Sequence, residues 1–327
     1  MNYDAIKPLS NDPMRGFRAM TEPELHSVHC PDATGGHRMA YWAWGEPASP
    51  HVVVCVHGLS RQGRDFDVLA RALCGRAPGQ VRVVCPDVVG RGQSDWLKDP
   101  MGYQLPFYAA DMLALLAELR PATLDWVGTS MGGLIGMMVA GVLQSAGDDP
   151  SPVRAQAPPV RRLVLNDVGP VIQWQALQRI GTYLGNTGRF ESLEQAADAM
   201  WAVSTTFGPH TPQQWFELSR HMVKPVGDEV PGALTLHYDP AIAVPFRTVT
   251  QESAAQGEAA LWQLYDSLRT ATLLTRGAQS DLLTHETALA MVQRGPKARL
   301  VEFEGVGHAP TLIARDQVEA VTSFLLD

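Results

Sequence analysis

The chain has 327 residues, 45% of them hydrophobic and 18% charged, which suits a soluble globular protein with room for an extensive core. Its formal net charge of −8 argues against a nucleic-acid binder, which needs a basic face. No run of about 20 apolar residues exists, so no membrane span is expected, and the opening MNYDAIKPLSNDPMRGF lacks the apolar stretch of a secretory leader; a cytoplasmic location is the expectation.

Near the start, ELHSVHC and HRMAYWAWG read as an antiparallel hairpin at a sheet edge. HVVVCVHG (51–58) follows as a buried strand, then the helical stretch DFDVLARALC and a second buried strand, VRVVCPD (81–87). The helical PFYAADMLALLAELR leads to the strand TLDWVG (123–128), which runs directly into the small-residue helix MGGLIGMMVAGVLQ. The Pro- and Ala-rich SAGDDPSPVRAQAPPV (145–160) is expected to loop over the surface before the strand RRLVLND (161–167). From about 170 to 260 no convincing strand occurs, only helices such as LEQAADAMWAV and PQQWFELSRHMV and many aromatics. Two more strands, TATLLTRG (270–277) and ARLVEFEG (298–305), and an amphipathic ARDQVEAVTSFLLD close the chain. Strands alternating with helices predict a mostly parallel sheet covered on both faces. The expected organisation is a core of residues 1–169 and 261–327 with a helical cap, 170–260, inserted in it.

Cys30, Cys55, Cys74 and Cys85 form no CxxC pair and no Cys/His ligand spacing, so free structural cysteines are expected and no metal or cofactor.

Chemistry concentrates at strand ends. Gly128-Thr129-Ser130-Met131-Gly132 fits G-x-S-x-G in a strand–turn–helix setting, where small neighbours let a strained turn present a serine hydroxyl at a helix N-terminus. Serine needs a base, and the base an orienting acid. Among ten histidines His308, in the Gly-rich EGVGHAP after the last strand, stands where its imidazole can swing over the sheet edge toward Ser130. Two acids follow strands at that edge, Asp281 in RGAQSDLL and Asp167 in LNDVGP; the order Ser130, Asp281, His308 favours Asp281, with Asp167 as runner-up. The backbone amides of Leu59 and Met131 are the candidate oxyanion donors, and His57 is expected to support that loop.

These segments together resemble the α/β-hydrolase superfamily over nearly the whole chain: HGLSRQGRDF, DVVGRGQSD, GTSMGG, RGAQSDLL and GVGHAP occur in order, each at a strand end. The resemblance implies the α/β-hydrolase fold, a mostly parallel eight-stranded sheet flanked by helices, with the cap inserted after the sixth strand. It also implies a Ser130–His308–Asp281 triad and an oxyanion hole from Leu59 and Met131; branches that place the acid after the sixth strand keep Asp167 open. Serine at 130 departs from the dehalogenase and epoxide-hydrolase branches, which carry aspartate. In DVVGRGQSD, Asp87, Gly90, Gly92 and Ser94 read as loop-shaping residues, and a substrate contact by Arg91 has no support.

The expected activity is a cofactor-independent serine hydrolase cleaving carboxylic esters of small, fairly apolar substrates. A lactonase, thioesterase, C–C bond hydrolase or perhydrolase would use the same machinery, and a non-catalytic small-molecule binder is the reading from another class. Trp174, Tyr183, Trp201, Phe207, Trp215 and Tyr238 are candidate pocket residues, and Lys224, Arg179 and Arg220 candidate partners for a substrate carboxylate.

Overall fold

The protein is described from a computed structural model that covers residues 22–145, 157–171, 173–227 and 232–327. The surface stretch expected at 145–160 lies mostly outside the described residues. Ten strands occur among the described residues: β1 (Glu24–Cys30), β2 (His37–Gly45), β3 (His51–Val56), β4 (Val81–Pro86), β5 (Thr123–Thr129), β6 (Val160–Asn166), β7 (Val223–Pro225), β8 (Leu234–Leu236), β9 (Ala271–Gly277) and β10 (Arg299–Phe303). Eight of them form one sheet in the order β1-β2-β4-β3-β5-β6-β9-β10. The pairs β1–β2 and β2–β4 are antiparallel and the remaining pairs parallel. The expected sheet is therefore present, with its strands within a few residues of the expected bounds.

β3 shows why these segments form central strands. Its β-branched residues suit an extended backbone, and alternate side chains enter opposite cores: Val52, Val54 and Val56 on one face, Val53 and Cys55 on the other. Burial on both faces explains a continuous apolar run in place of alternation. The helices α1 (Asp67–Arg76) and α10 (Arg315–Leu326) cover the second face through Leu69, Leu73, Val321 and Leu325. On the first lie α2 (Leu105–Leu119) and α3 (Met131–Ser145), which bring Met112, Leu115, Ile135 and Val139. Each such buried side chain contributes about 1.5–3 kcal/mol of transfer free energy. The four cysteines are free and buried.

Between β6 and β9 lie α4 (Trp174–Tyr183), α5 (Leu193–Ala202), α6 (Pro212–Arg220), α7 (Ala243–Arg247) and α8 (Gln251–Ser267); α9 (His285–Gln293) joins β9 to β10. Ser192 caps α5 and Thr211 opens α6 in a reciprocal capping box with Gln214. This stretch, expected to lack strands, contains the antiparallel ribbon β7–β8, separate from the main sheet and bridged through Leu234 to Phe190. Three residues per strand are too few to show a period of two. The segment after β8 clasps the loop after β4: the Gly92 amide donates to His237 O (3.0 Å) and the Asp239 amide to Gly90 O (2.7 Å).

From β3 the chain passes to β4 on one side and then to β5 on the other. The crevice beyond the carboxyl ends of β3 and β5 is a topological switch point, where open α/β sheets hold their ligands. Ser130 and Leu59 follow these two strands.

Candidate active site

Ser130 stands between β5 and α3 with φ +51°, a left-handed conformation uncommon for a residue with a side chain. Its neighbours must be glycine for steric reasons. A Cβ on Gly128 would meet the Gly132 carbonyl carbon at 2.3 Å, and one on Gly132 would meet Val56 O at 2.0 Å. The turn is tied to β6 by the Ser130 amide donating to Asn166 O (3.0 Å). The hydroxyl thus stands at the start of α3, where free N–H groups favour developing negative charge.

His308 Nε2 lies 3.0 Å from Ser130 Oγ, across 178 positions of sequence. On the other side of the ring, Nδ1 lies 2.7 Å from Asp167 Oδ2. The structure therefore corrects the favoured acid. Asp281 is half exposed and pairs with Arg179 Nη2 at 2.6 Å, and the imidazole's ring nitrogens meet Asp167 and Ser130 instead. Asp167, the runner-up, has a side chain wholly out of water. Its Oδ1 accepts the Gly277 amide (2.9 Å), and its Oδ2 accepts Ser280 Oγ (2.7 Å) as well as His308. A buried carboxylate is tolerable when its oxygens are filled in this way. A carboxylate oxygen accepts, so this contact suits the tautomer of His308 with its proton on Nδ1, in which Nε2 is the acceptor facing Ser130 Oγ.

Three supporting residues were not recognised from the sequence. The buried Asn166 amide donates to Thr129 Oγ1 (2.9 Å) and Pro310 O (2.8 Å), while its oxygen accepts Thr275 Oγ1 (2.8 Å). It joins β5, β6, β9 and the histidine loop. Thr206, far away in the helical stretch, donates to His308 O (3.1 Å) and accepts the Gly307 amide (2.6 Å). Arg91 is fully buried, and among the described residues no carboxylate lies within ion-pair distance of it. Its Nε donates to Leu59 O (2.8 Å) and its Nη1 to Val89 O and Tyr108 Oη, so it braces the Leu59 loop and is shut off from any substrate. Arg91 lies in DVVGRGQSD, but nothing in that segment marks its role, and Asn166 and Thr206 are revealed only by spatial proximity.

Leu59 and Met131 both line the cavity beside Ser130, and among the described residues no acceptor takes either amide. His57 is buried behind them, with Nδ1 2.7 Å from Gly58 O and Nε2 accepting the Val88 amide (2.9 Å). Burial pushes its pKa down to about 3, so it is neutral and holds the loop. In the neighbouring loop Asp87 accepts the Gly63 and Gln93 amides, and burial raises its pKa to about 6. Asp87 is a loop-shaping residue, as expected.

Residues 53–321 match the model of the alpha/beta hydrolase family. The chain belongs to that family. As a hydrolase it is 49% identical over 302 residues to a 3-hydroxybutyrate-oligomer hydrolase of Cupriavidus necator, covering 92% of this chain and 97% of that protein. Among solved structures, an alpha/beta hydrolase from Novosphingobium aromaticivorans is 33% identical with TM-score 0.75, over 94% of this chain and 99% of that one. The thioesterase domain from the curacin biosynthetic pathway shares the fold, with 22% identity and TM-score 0.68 over 93% of this chain and 100% of its own. Among the described residues no helix is long and apolar enough to cross a membrane.

The hydrolase places Ser130 where two cavities adjoin. One, of about 630 Å³, is lined by residues such as Met131, Leu134, Val168, Leu177 and Phe246. The other, of about 390 Å³, is reached by His308, Arg61, Arg179, Tyr183, Phe207 and Tyr238. Tyr183, Phe207 and Tyr238 are thus pocket residues, but three expected tryptophans are not. Trp215 is fully buried in the small core of α5 and α6, its indole N–H donating to Ala197 O (2.8 Å), and Trp201 packs edge-on against it at 5.0 Å. Trp174 lines neither cavity. Two of the cations are also occupied elsewhere: Lys224 sits over the Trp96 ring (4.1 Å) and Arg220 pairs with Glu217 (3.0 Å).

Cys30, His37 and Asp111, distant in sequence, place possible metal-ligating atoms within 4.8 Å of one another. Those donors are already bonded to one another. His37 Nε2 meets Asp111 Oδ2 at 3.1 Å and Nδ1 meets Asp32 Oδ2 at 3.0 Å, and burial raises the pKa of the Cys30 thiol. The cluster is a hydrogen-bonded network across β1, β2 and α2.

Proposed function

We propose that the protein is a serine hydrolase that cleaves the ester bonds of short 3-hydroxybutyrate oligomers through an acyl-enzyme on Ser130. The observation that carries this reading is the unbroken chain of contacts from Ser130 Oγ through His308 to Asp167, 3.0 and 2.7 Å. The substrate class is supported by the 49% identity to the Cupriavidus necator hydrolase over nearly the full length of both proteins.

In this reading Ser130 Oγ attacks the ester carbonyl while His308 Nε2 takes the hydroxyl proton. Asp167 keeps the imidazole in the tautomer that can accept it and stabilises the imidazolium. The carbonyl oxygen gains negative charge and is met by the Leu59 and Met131 amides; each such donor is worth roughly 10²–10³ in rate. His308 returns the proton to the departing alcohol. Water then repeats the sequence on the acyl-enzyme, and acyl transfer of this kind needs no cofactor. The helical stretch between β6 and β9 acts as a cap whose Tyr183, Phe207 and Tyr238 close one side of the substrate site.

The test is fluorophosphonate labelling together with turnover of 3-hydroxybutyrate trimer and p-nitrophenyl butyrate. Ser130→Ala is expected to lose labelling and to reduce kcat by about 10⁶. Retained labelling or near-normal turnover would place the nucleophile elsewhere.

A further inference from the structure

The two cavities that meet at Ser130 differ in charge. Leu59, Ser130 and Ile180 belong to both. Around the larger no ionisable acid or base is found apart from tyrosine hydroxyls. The smaller is lined by two arginines, Arg61 and Arg179, besides His308, and by no carboxylate. Arg61 is spoken for: its Nε and Nη2 grip Asp65 in a two-pronged pair at 2.7 Å. Arg179 is different. Only its Nη2 is bonded, to Asp281, and among the described residues Nε and Nη1 find no acceptor. The Arg179 side chain is 45% exposed and lines the cavity, so an incoming anion can reach it.

A linear hydroxyacid oligomer has the same asymmetry. One end is a neutral hydroxyl and the other a carboxylate, and a planar guanidinium fork suits a carboxylate better than any other side chain does. We propose that Arg179 recognises the terminal carboxylate of the substrate, so that the carboxylate-bearing side of the scissile ester lies in the smaller cavity and the hydroxyl-ended acyl side in the larger. This rests on the ester-hydrolase reading above. Asp281, the aspartate displaced from the triad, then serves to hold Arg179 at the wall until substrate arrives.

The orientation fixes the products. Ser130 Oγ bonds to the acyl carbon, and the bond from that carbon to the alkoxy oxygen breaks with its electron pair going to that oxygen. The oxygen takes the proton held by His308 and leaves as a free hydroxy acid from the carboxyl end of the oligomer. Water adds to the acyl carbon and gives one proton to His308. The bond from that carbon to Ser130 Oγ breaks with its electron pair going to Oγ, which takes that proton. The shortened oligomer departs as an acid that releases its remaining proton to solvent, a new carboxylate ready for another round.

The experiment compares 3-hydroxybutyrate trimer as free acid and as methyl ester in wild type and Arg179→Gln, with p-nitrophenyl butyrate as an ester without a carboxylate. Wild type is expected to favour the free acid by about tenfold or more in kcat/KM, mainly through KM. Arg179→Gln should bring that ratio to within about threefold of one, and about 0.5 M salt should lower it in wild type by screening the ion pair. A wild type that hydrolyses p-nitrophenyl butyrate but shows no preference, or a preference untouched by Arg179→Gln, overturns this inference and leaves the ester-hydrolase reading standing. Failure to turn over any of the three esters overturns that reading instead.

Discussion

β6 and β9 end at the same rim of the sheet, and each is followed by an aspartate. Asp167, the first residue past β6, adopts φ +56° and buries its carboxylate among the Gly277 amide, Ser280 and His308. Asp281, past β9, stays half exposed, and its partner is an arginine equally open to water. An exposed pair of that kind is worth about 1 kcal/mol or less, whereas removing one partner from a buried, hydrogen-bonded charge costs several. Chain order favoured Asp281, and the number of donors converging on each carboxylate points instead to Asp167. The end of β9 and the loop after it still contribute to the site through Gly277 and Ser280, which with His308 fill the oxygens of Asp167.

The most direct way to break that comparison is to neutralise each acid. Asp167→Asn is expected to lower kcat by about 10⁴, since an amide at that position favours the wrong imidazole tautomer, while Asp281→Asn should stay within about tenfold of wild type. Steady-state kinetics on p-nitrophenyl butyrate decides between them, and the reverse order would restore Asp281 as the acid. A second contrast sets the sheet against the stretch between β6 and β9, which has its own core. Trp215→Ala is expected to destabilise α5 and α6 by about 3–5 kcal/mol, read as faster amide exchange over residues 193–220, with little change in the exchange of β3 and β5. Uniform acceleration across both regions would show that they unfold as one unit.

Asn166→Ala removes three hydrogen bonds, two of them buried, behind the Ser130–His308–Asp167 contacts and should cost about 2–3 kcal/mol in urea unfolding. Its effect on kcat should exceed that on KM, because the Pro310 tie sets the histidine loop and not the cavities. The smallest effect is at His37, which lines neither cavity at Ser130. Burial alone would lower its pKa, but the hydrogen bonds to Asp111 and Asp32 prevail and raise it from 6.5 to about 8. A raised folded-state pKa stabilises the fold below pH 6.5, and the contribution is lost as pH climbs through 8. His37→Gln should therefore lower unfolding free energy by roughly 1 kcal/mol at pH 6, allowing for solvent screening, and by much less at pH 9, measured by urea titration.

Much of the site was legible because local sterics and strand ends leave marks in one dimension. Gly128, Ser130 and Gly132 stand at fixed spacing since a single turn brings them together, and EGVGHAP lies just past a strand. The Trp215 indole left no such mark: an aromatic on an amphipathic helix reads the same whether it packs against Ala197 or faces a ligand. Arg91 is similar, since nothing in DVVGRGQSD tells a solvated arginine from one buried against Leu59 O.

What the chain determined by itself was the parallel sheet, through runs such as HVVVCV whose two faces both demand burial, and the serine and histidine at its rim. Only the tertiary structure decided which aspartate meets the imidazole, which aromatics line the cavities and where the cations point. Those outcomes depend on how side chains pack in three dimensions, across 141 positions for Asp167 and His308 and across 18 for Trp215 and Ala197, and periodicity or spacing along a chain carries no measure of that.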